Sequence, residues 1–259
     1  MTPTTPTPRS PVATATVVGR GRVGRAVAAA LGAAGVVVTG PTGRGETVPD
    51  ADVILLCVPD EAIAGVAASL GETHGFVGHT SGATPLEASG VDFGLHPLQT
   101  FAGAEGADAF RGIGCAVAGR SPEALDVARE LSIRIGGRPF PIDEAHRAGY
   151  HAAASLASNF VVTLLAAAEQ VAATAGLTEP DARALMEPLV RSTVANWAAH
   201  GPDESLTGPI ERGDDATVDR QREAIRANAP DVLPLFDALA DRTRALAARR
   251  PAPSTGGVA

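Results

Sequence analysis

Histidine is the side chain in this 259-residue chain best suited to move a proton at neutral pH, and there are six: His74, His79, His96, His146, His151 and His200. Three stand in unusual settings. His79-Thr80-Ser81-Gly82 ends an expected strand, and His96-Pro97-Leu98-Gln99-Thr100-Phe101 follows the short apolar run 93–95. His151 falls on a helical stretch where Arg147, His151, Ser155 and Asn159 recur at every fourth position. That spacing puts their polar groups on one face of a helix otherwise built from Ala, Leu and Val. Such a stripe faces solvent or lines a cleft, and the cleft is the preferred reading. For His74, His79, His146 and His200 the ordinary reading, a hydrogen-bonded core or loop histidine, is preferred.

A second constellation precedes these. An apolar run over residues 12–18 leads into Gly19-Arg20-Gly21-Arg22-Val23-Gly24, which opens a helix. In this strand–turn–helix setting the first glycine permits a tight turn. The second lets a pyrophosphate approach the backbone, and the third lets helix and strand pack closely. Free N–H groups at the helix start then face phosphate. Residues 1–45 hold five arginines (9, 20, 22, 25 and 44) and no acid before Glu46. Sites for NAD place an acid at the end of the second strand, against the ribose 2′-hydroxyl. The run 36–39 ends instead in Gly40-Pro41-Thr42-Gly43-Arg44, where Thr42 and Arg44 could hold a 2′-phosphate. The cofactor expected is therefore NADP(H), held by Gly19, Arg20, Gly21, Arg22, Val23, Gly24, Thr42 and Arg44, with Val58 and Pro59 stiffening a turn beside it.

Hydride transfer from such a cofactor to a carbonyl leaves an alkoxide that needs a proton. All 21 basic residues are arginine. A guanidinium cannot give up its proton, so His96 and His151 are the general-acid candidates. Ser81 and Asn159 could hydrogen-bond the substrate oxygen, and Arg147 could pair with a carboxylate, with Ser155 on the same face. The absence of lysine excludes a Schiff-base lysine and a P-loop lysine. The segment Leu206-Thr207-Gly208-Pro209-Ile210-Glu211-Arg212-Gly213-Asp214 is rich in turn residues. It could close over a site and bring Thr207, Arg212 and Asp214 to substrate.

These residues need a scaffold. Strands are expected at 12–18, 36–39, 53–58, 75–79 and 114–118, with helices at 22–34 and 61–70 between them. That alternation implies a parallel sheet covered on both faces. After residue 143 the strands stop. Residues 144–175 read as one long helix, followed by helices at 181–200, 217–228 and 232–248, the last with Asp231 as its N-cap. The expected organisation is a Thr/Pro-rich disordered tail (1–12), a doubly wound α/β nucleotide-binding domain (13–143), a helical substrate and dimerisation domain (144–248) and a second disordered tail (249–259). The apolar stretch 160–177 carries Glu169 and Gln170, so it reads as a buried helix rather than a membrane span. A net charge of −8 argues against nucleic acid or an anionic membrane as partner. Cys57 and Cys115 form no metal pattern and read as reduced core thiols of a cytoplasmic protein, and no metal site is expected.

Several separate motifs together carry a resemblance: Val18-Gly19-x-Gly21-x-Val23-Gly24, Val58-Pro59-Asp60, His79-x-Ser81-Gly82, His96-Pro97-Leu98-Gln99-x-Phe101, Tyr150-His151-Ala152-Ala153-Ala154, Ser158-Asn159 and the 206–214 segment. Over about residues 13–245 the chain resembles a bacterial family of Rossmann-like oxidoreductases with a helical C-terminal domain of unknown function. That family belongs to the 6-phosphogluconate-dehydrogenase-like superfamily, near ketopantoate reductases and deazaflavin-dependent NADP reductases. The resemblance implies a Rossmann domain followed by a 6-phosphogluconate-dehydrogenase-like helical domain, a homodimer formed through the latter, and reduction of a small 2-keto acid, with ketopantoate the leading substrate. His96-Pro97 is also similar to an element of prephenate and arogenate dehydrogenases whose histidine engages substrate, which makes that activity an alternative. A non-catalytic NADP(H) sensor is the alternative outside enzymes. Many superfamily relatives place a lysine acid on the long helix. Arg147 near its start departs from that pattern and moves the expected role to a histidine.

Overall fold

The computed structural model describes residues 11–249, and the expected tails fall almost wholly outside them. The described residues form two compact units that divide after Ser158. The strands end at residue 141, close to the expected change of texture, but the helix that follows belongs to the first unit as far as Ser158.

The first unit is built on a seven-stranded sheet: β1 (Thr14–Val18), β2 (Val37–Thr42), β3 (Val53–Leu56), β4 (Phe76–His79), β5 (Phe93–Pro97), β6 (Gly114–Gly119) and β7 (Arg138–Pro141), in the order β2-β1-β3-β4-β5-β6-β7. Neighbours pair in parallel except β5 and β6, which run antiparallel. This is the expected doubly wound, mostly parallel sheet. β3 shows why it is buried on both faces. Val53 and Leu55 enter one core with Val17, Leu31, Phe93, Val117 and Leu131, whereas Ile54 and Leu56 enter a second with Val18, Ile63, Val77 and Leu86. Alternate residues of one strand serve opposite layers. The helices α1 (Arg22–Ala33), α2 (Asp60–Ser69), α3 (Leu86–Ser89) and α4 (Pro122–Arg134) complete these layers. The start of α4 is set by Ser121, whose hydroxyl accepts from Ala124 N at 3.2 Å, with Pro122 in the first turn.

Some expectations change. β2 runs on through Gly40 and Pro41 to Thr42, with an irregularity in its pairing to β1 between Thr16 and Val18. Both it and the unexpected β7 lie at sheet edges, where proline is tolerated. β5 extends to Pro97, so His96 lies within a strand rather than after it. The long helix is broken. A short 3-10 turn at Glu144–His146 leads into α5 (Arg147–Ala157), Ser158 leaves helical geometry (φ −130°, ψ −77°), and α6 (Asn159–Ala173) follows. The fourfold polar stripe therefore ends with α5, and Asn159 falls in the second unit.

The second unit is all helical: α6, α7 (Glu179–Ser205, with Gly201 at φ 75°, ψ 176° interrupting it), α8 (Asp215–Asn228) and α9 (Leu233–Ala247). Ile225, Ala229 and Val232 centre its core. Asp231 does not cap α9. Its carboxylate accepts from Gln170 at 2.7 and 2.9 Å, and α9 begins after Val232 without a side-chain cap. α6 holds no buried residue, contrary to the buried helix expected there: Phe160 and Val162 are exposed by 57% and 68%. The run Glu144–Ala173 is long and apolar enough by composition to cross a membrane, but the break at Ser158 leaves helices of 11 and 15 residues, short of the roughly 20 a span needs.

Candidate active site

Two sites take shape in the first unit. The first is the glycine loop between β1 and α1, at the carboxyl end of the sheet where the chain turns from β2 on one side of β1 to β3 on the other. Open α/β sheets bind ligands at such a switch point. Gly19 adopts φ 113°, and a side chain there would collide with the Cys57 carbonyl after β3 and press Val58. A side chain at Gly24 would meet the Gly19 carbonyl, so this glycine lets α1 pack against the loop. Around Gly21 there is open space. A cradle tight at Gly19 and Gly24 and bare at Gly21 is the shape a pyrophosphate requires, so these residues fit a dinucleotide. Val58 and Pro59 close the neighbouring turn, with Pro59 preceding α2.

The cations around the loop are partly spent. Arg20 Nη2 donates to Glu46 at 2.8 Å and its Nε donates to the Pro41 carbonyl at 3.2 Å. Gly43 N–H donates to the same Glu46 carboxylate at 2.9 Å, and these donors hold the Glu46 carboxyl below the ordinary carboxylate range, the Gly43 N–H most of all. The expectation that no acid serves the second strand's end is thus corrected: Glu46 folds back onto it. Arg25 donates to the Arg20 carbonyl. Thr42 is buried, its carbonyl accepts from Gly19 N at 2.9 Å, and its hydroxyl lies 3.5 Å from the Val17 carbonyl. It shapes the loop rather than presenting a hydroxyl. Arg22 lies against Gly103, and Arg44 is exposed.

The second site gathers His79, Ser81, His96, Arg147, Tyr150 and His151. β4 delivers His79, β5 delivers His96, and α5 delivers the other three large side chains. Gly82 is the pivot: a β-carbon there would lie 2.6 Å from His151 Nδ1 and 2.9 Å from both Cε1 and Nε2 of His96. Only glycine leaves room for both rings, whose centroids are 5.9 Å apart. His96 Nδ1 lies 2.7 Å from Tyr150 Oη, and Tyr150 also meets Phe140 edge-on. Nδ1 of His151 is buried without a hydrogen-bond partner, as are both ring nitrogens of fully buried His79. Burial, then the charges of His151 and Arg147, pulls His96 down to about 4, and burial with Arg147 does the same to His79. The expectation that His96 titrates near neutrality is therefore corrected: at pH 7 it is a neutral imidazole.

Arg147 is 4% exposed and already has a carboxylate. Its Nε and Nη2 donate to Glu144 Oε1 at 3.0 and 2.6 Å, and Nη1 donates to the Ser81 carbonyl at 3.4 Å. The substrate anion expected for Arg147 meets a guanidinium engaged by the chain's own Glu144. Ser81 is similarly occupied. Its hydroxyl donates to Thr84 Oγ1 at 3.0 Å and accepts from the N–H groups of Ala83 and Thr84, a turn that sets Gly82 between the rings. Ser155 is half-buried one turn beyond His151 on α5. Asn159, Thr207, Arg212 and Asp214 belong to the second unit, where Asp214 is the N-cap of α8, accepting from Thr217 N at 3.1 Å. Tyr150 is the site residue that sequence reasoning passed over. The signal was its place next to His151, but its partner lies 54 residues away.

Both cysteines are free and buried, and burial pushes the Cys57 thiol up to about 12. Among the described residues no group of three or more His, Cys, Asp or Glu is placed to hold a metal.

The fold is shared with solved structures. A candidate NADP oxidoreductase from Bacteroides fragilis is 21% identical, with a TM-score of 0.75 over 90% of this chain and 98% of that one. Protein TM1727 from Thermotoga maritima is 24% identical, with a TM-score of 0.74 over 91% and 100%. Pyrroline carboxylate reductase from Plasmodium falciparum, with NADP bound, is 10% identical, with a TM-score of 0.55 over 91% and 98%. No curated protein matches the sequence. Residues 113–243, which run from β6 through most of α9, match the family described as a domain of unknown function (DUF2520), and the chain is a member of that family.

Proposed function

We propose that this protein is an NADP(H)-dependent reductase of a small carbonyl compound, with a 2-keto acid such as ketopantoate as substrate. The observation that carries this reading is the paired imidazoles of His96 and His151 across Gly82, in the unit that also carries the glycine cradle. NADPH, when bound, supplies a hydride. Gly19, Gly21 and Gly24 would hold its pyrophosphate, and Arg20, Arg22 and Arg44 would supply the positive field for a 2′-phosphate.

The chain's own residues then stabilise the negative oxygen that reduction creates. Neutral His96 does so by donating a ring N–H hydrogen bond to that oxygen and keeps its own proton, while the oxygen takes the proton it needs from solvent water, which leaves as hydroxide and is neutralised by buffer. His151 has a buried, unpartnered nitrogen beside the same glycine and is the second group able to hydrogen-bond substrate. Arg147 and Glu144 hold α5 against β4 and β5 so that these rings keep their positions. A pair of hydrogen-bonding imidazoles favours a carbonyl over an imine, because hydride leaves an anionic oxygen on a carbonyl but turns a protonated imine into a neutral amine.

The exposed apolar side chains of α6 and α7 (Phe160, Val162, Leu185, Leu189, Trp197) support assembly as a homodimer through the helical unit. Two unpaired thiols suit a reducing, cytoplasmic setting. The test is to mix the protein with NADPH and ketopantoate and follow NADPH absorbance against an enzyme-free control. Loss of absorbance supports the reading; no loss rejects ketopantoate as substrate.

A further inference from the structure

Resting on that reading, we infer that Tyr150 is a positioning residue: its hydroxyl donates to His96 Nδ1 and so fixes His96 as the tautomer that carries its proton on Nε2, facing Gly82 and His151. A neutral imidazole has one N–H and one lone pair, and which nitrogen holds the proton is set by the partner of the other. Tyr150 Oη lies 2.7 Å from Nδ1, whereas Nε2 lies beside the place a β-carbon on Gly82 would take, as does His151 Nδ1.

Tyrosine accepts hydrogen bonds as well as donating them, and the surroundings decide the direction. If Nδ1 carried the proton, Nε2 would be left as a bare acceptor beside a second imidazole nitrogen that has no partner. Such an arrangement offers no proton to an oxyanion. With Tyr150 donating, the phenol proton is used and Nε2–H is turned toward the space between the two rings. Burial raises the Tyr150 hydroxyl to about 12, so it remains a donor at any working pH. The tyrosine ring is braced in this position, meeting Phe140 edge-on at 5.9 Å and His96 edge-on at 5.6 Å. It sits on α5 three residues after Arg147, whose pairing with Glu144 holds the start of that helix.

The experiment reads the ring nitrogens directly, with no substrate. The full-length chain is labelled at its histidine nitrogens and studied by NMR at neutral pH, with His96 signals assigned by their loss in His96→Gln. The expected result is a protonated Nε2 and an unprotonated Nδ1 in the native protein. In Tyr150→Phe, which keeps the ring against Phe140, the ratio of the two tautomers falls by about fivefold, the weight of one ordinary hydrogen bond. A proton on Nδ1 in the native protein overturns the inference, and so does an unchanged ratio in the variant. Should the variant fail to fold, the native spectrum alone decides. A second measurement uses NADPH with ketopantoate: Tyr150→Phe should lower kcat with KM unchanged. If the native protein does not turn ketopantoate over, the substrate proposal fails, and the ring spectra still judge Tyr150.

Discussion

Arg147 and Glu144 form an ion pair in which the guanidinium is almost fully enclosed while the carboxylate reaches on to the backbone of another helix. Glu144 Oε1 accepts two of the Arg147 donors, and Oε2 accepts from Leu86 N at 2.9 Å. The pair thus ties α5 to the start of α3 and, through the Ser81 carbonyl, to the turn that carries Gly82. Removing one partner of a buried pair strands the other charge, at a cost of about 3–5 kcal/mol. The Glu144 side chain is 41% exposed, which moves the expectation to the low end. Glu144→Gln should destabilise the first unit by about 3 kcal/mol in urea unfolding. An unchanged midpoint would show that the pair holds nothing together.

Gly82 is the subject of a second prediction. Its replacement by alanine places a methyl group within 3 Å of both imidazoles, and His96 is tethered on its far side by Tyr150. Gly82→Ala should displace His96 or His151 and lower activity at least tenfold, with a loss of stability of about 1–3 kcal/mol from overpacking. NMR of the histidine ring protons measures the displacement; rings that stay in place would show that the pocket is looser than described.

The depressed histidines make stability depend on pH. His79 and His96 titrate near 4 when folded, against about 6.5 in an unfolded chain. Between those values the unfolded state binds more protons than the folded one, so unfolding free energy rises with pH across this window. Above about 6.5 their effect is constant; as pH falls from 6.5 toward 4 the unfolded state gains. Urea midpoints measured from pH 7 down to pH 4 should fall, and His79→Gln should flatten that slope. A midpoint that stays level through the window would contradict the burial of these rings.

Much of the frame was legible in the sequence because its signals are local. The glycine loop, the alternation of strands with helices and the change to helix after residue 143 all follow from periodicity and turn residues. The expected strand at 36–39 stops short of Thr42 and none is expected at 138–141, because Pro41, Pro139 and Pro141 look like strand breakers, and only the sheet order shows that both strands lie at edges where a missing N–H costs little. The polar stripe was legible on α5 but was carried one residue too far, since nothing local in Ser158-Asn159 announces the break. The sequence placed His96 and His151 among the candidates; it could not show that Tyr150 and Gly82 meet them, because those contacts join segments about 14 to 69 residues apart. The return of Glu46 to the loop is not legible in the sequence, because a carboxylate three residues beyond Gly43 reaches that N–H only through the turn's own geometry.

Glu46 now bears on cofactor choice. It occupies donors from Arg20 and Gly43 that a 2′-phosphate would use, so the two anions compete. Glu46→Gln should tighten NADP binding by about two- to fivefold, the scale of one exposed ion pair, and leave NAD binding unchanged or weaker. Titration calorimetry with each dinucleotide measures this; equal affinities in the native and variant proteins would remove Glu46 from cofactor selection.

The claim on which the rest depends is that the glycine loop after β1 holds a dinucleotide bearing a 2′-phosphate. Calorimetric titration of the full-length protein with NADP and with NAD tests it directly. Saturable binding of both is expected, tighter for NADP, with loss of both in Gly24→Val, where the new side chain meets the Gly19 carbonyl. Failure of a folded native protein to bind either dinucleotide, or tighter binding of NAD, would contradict it.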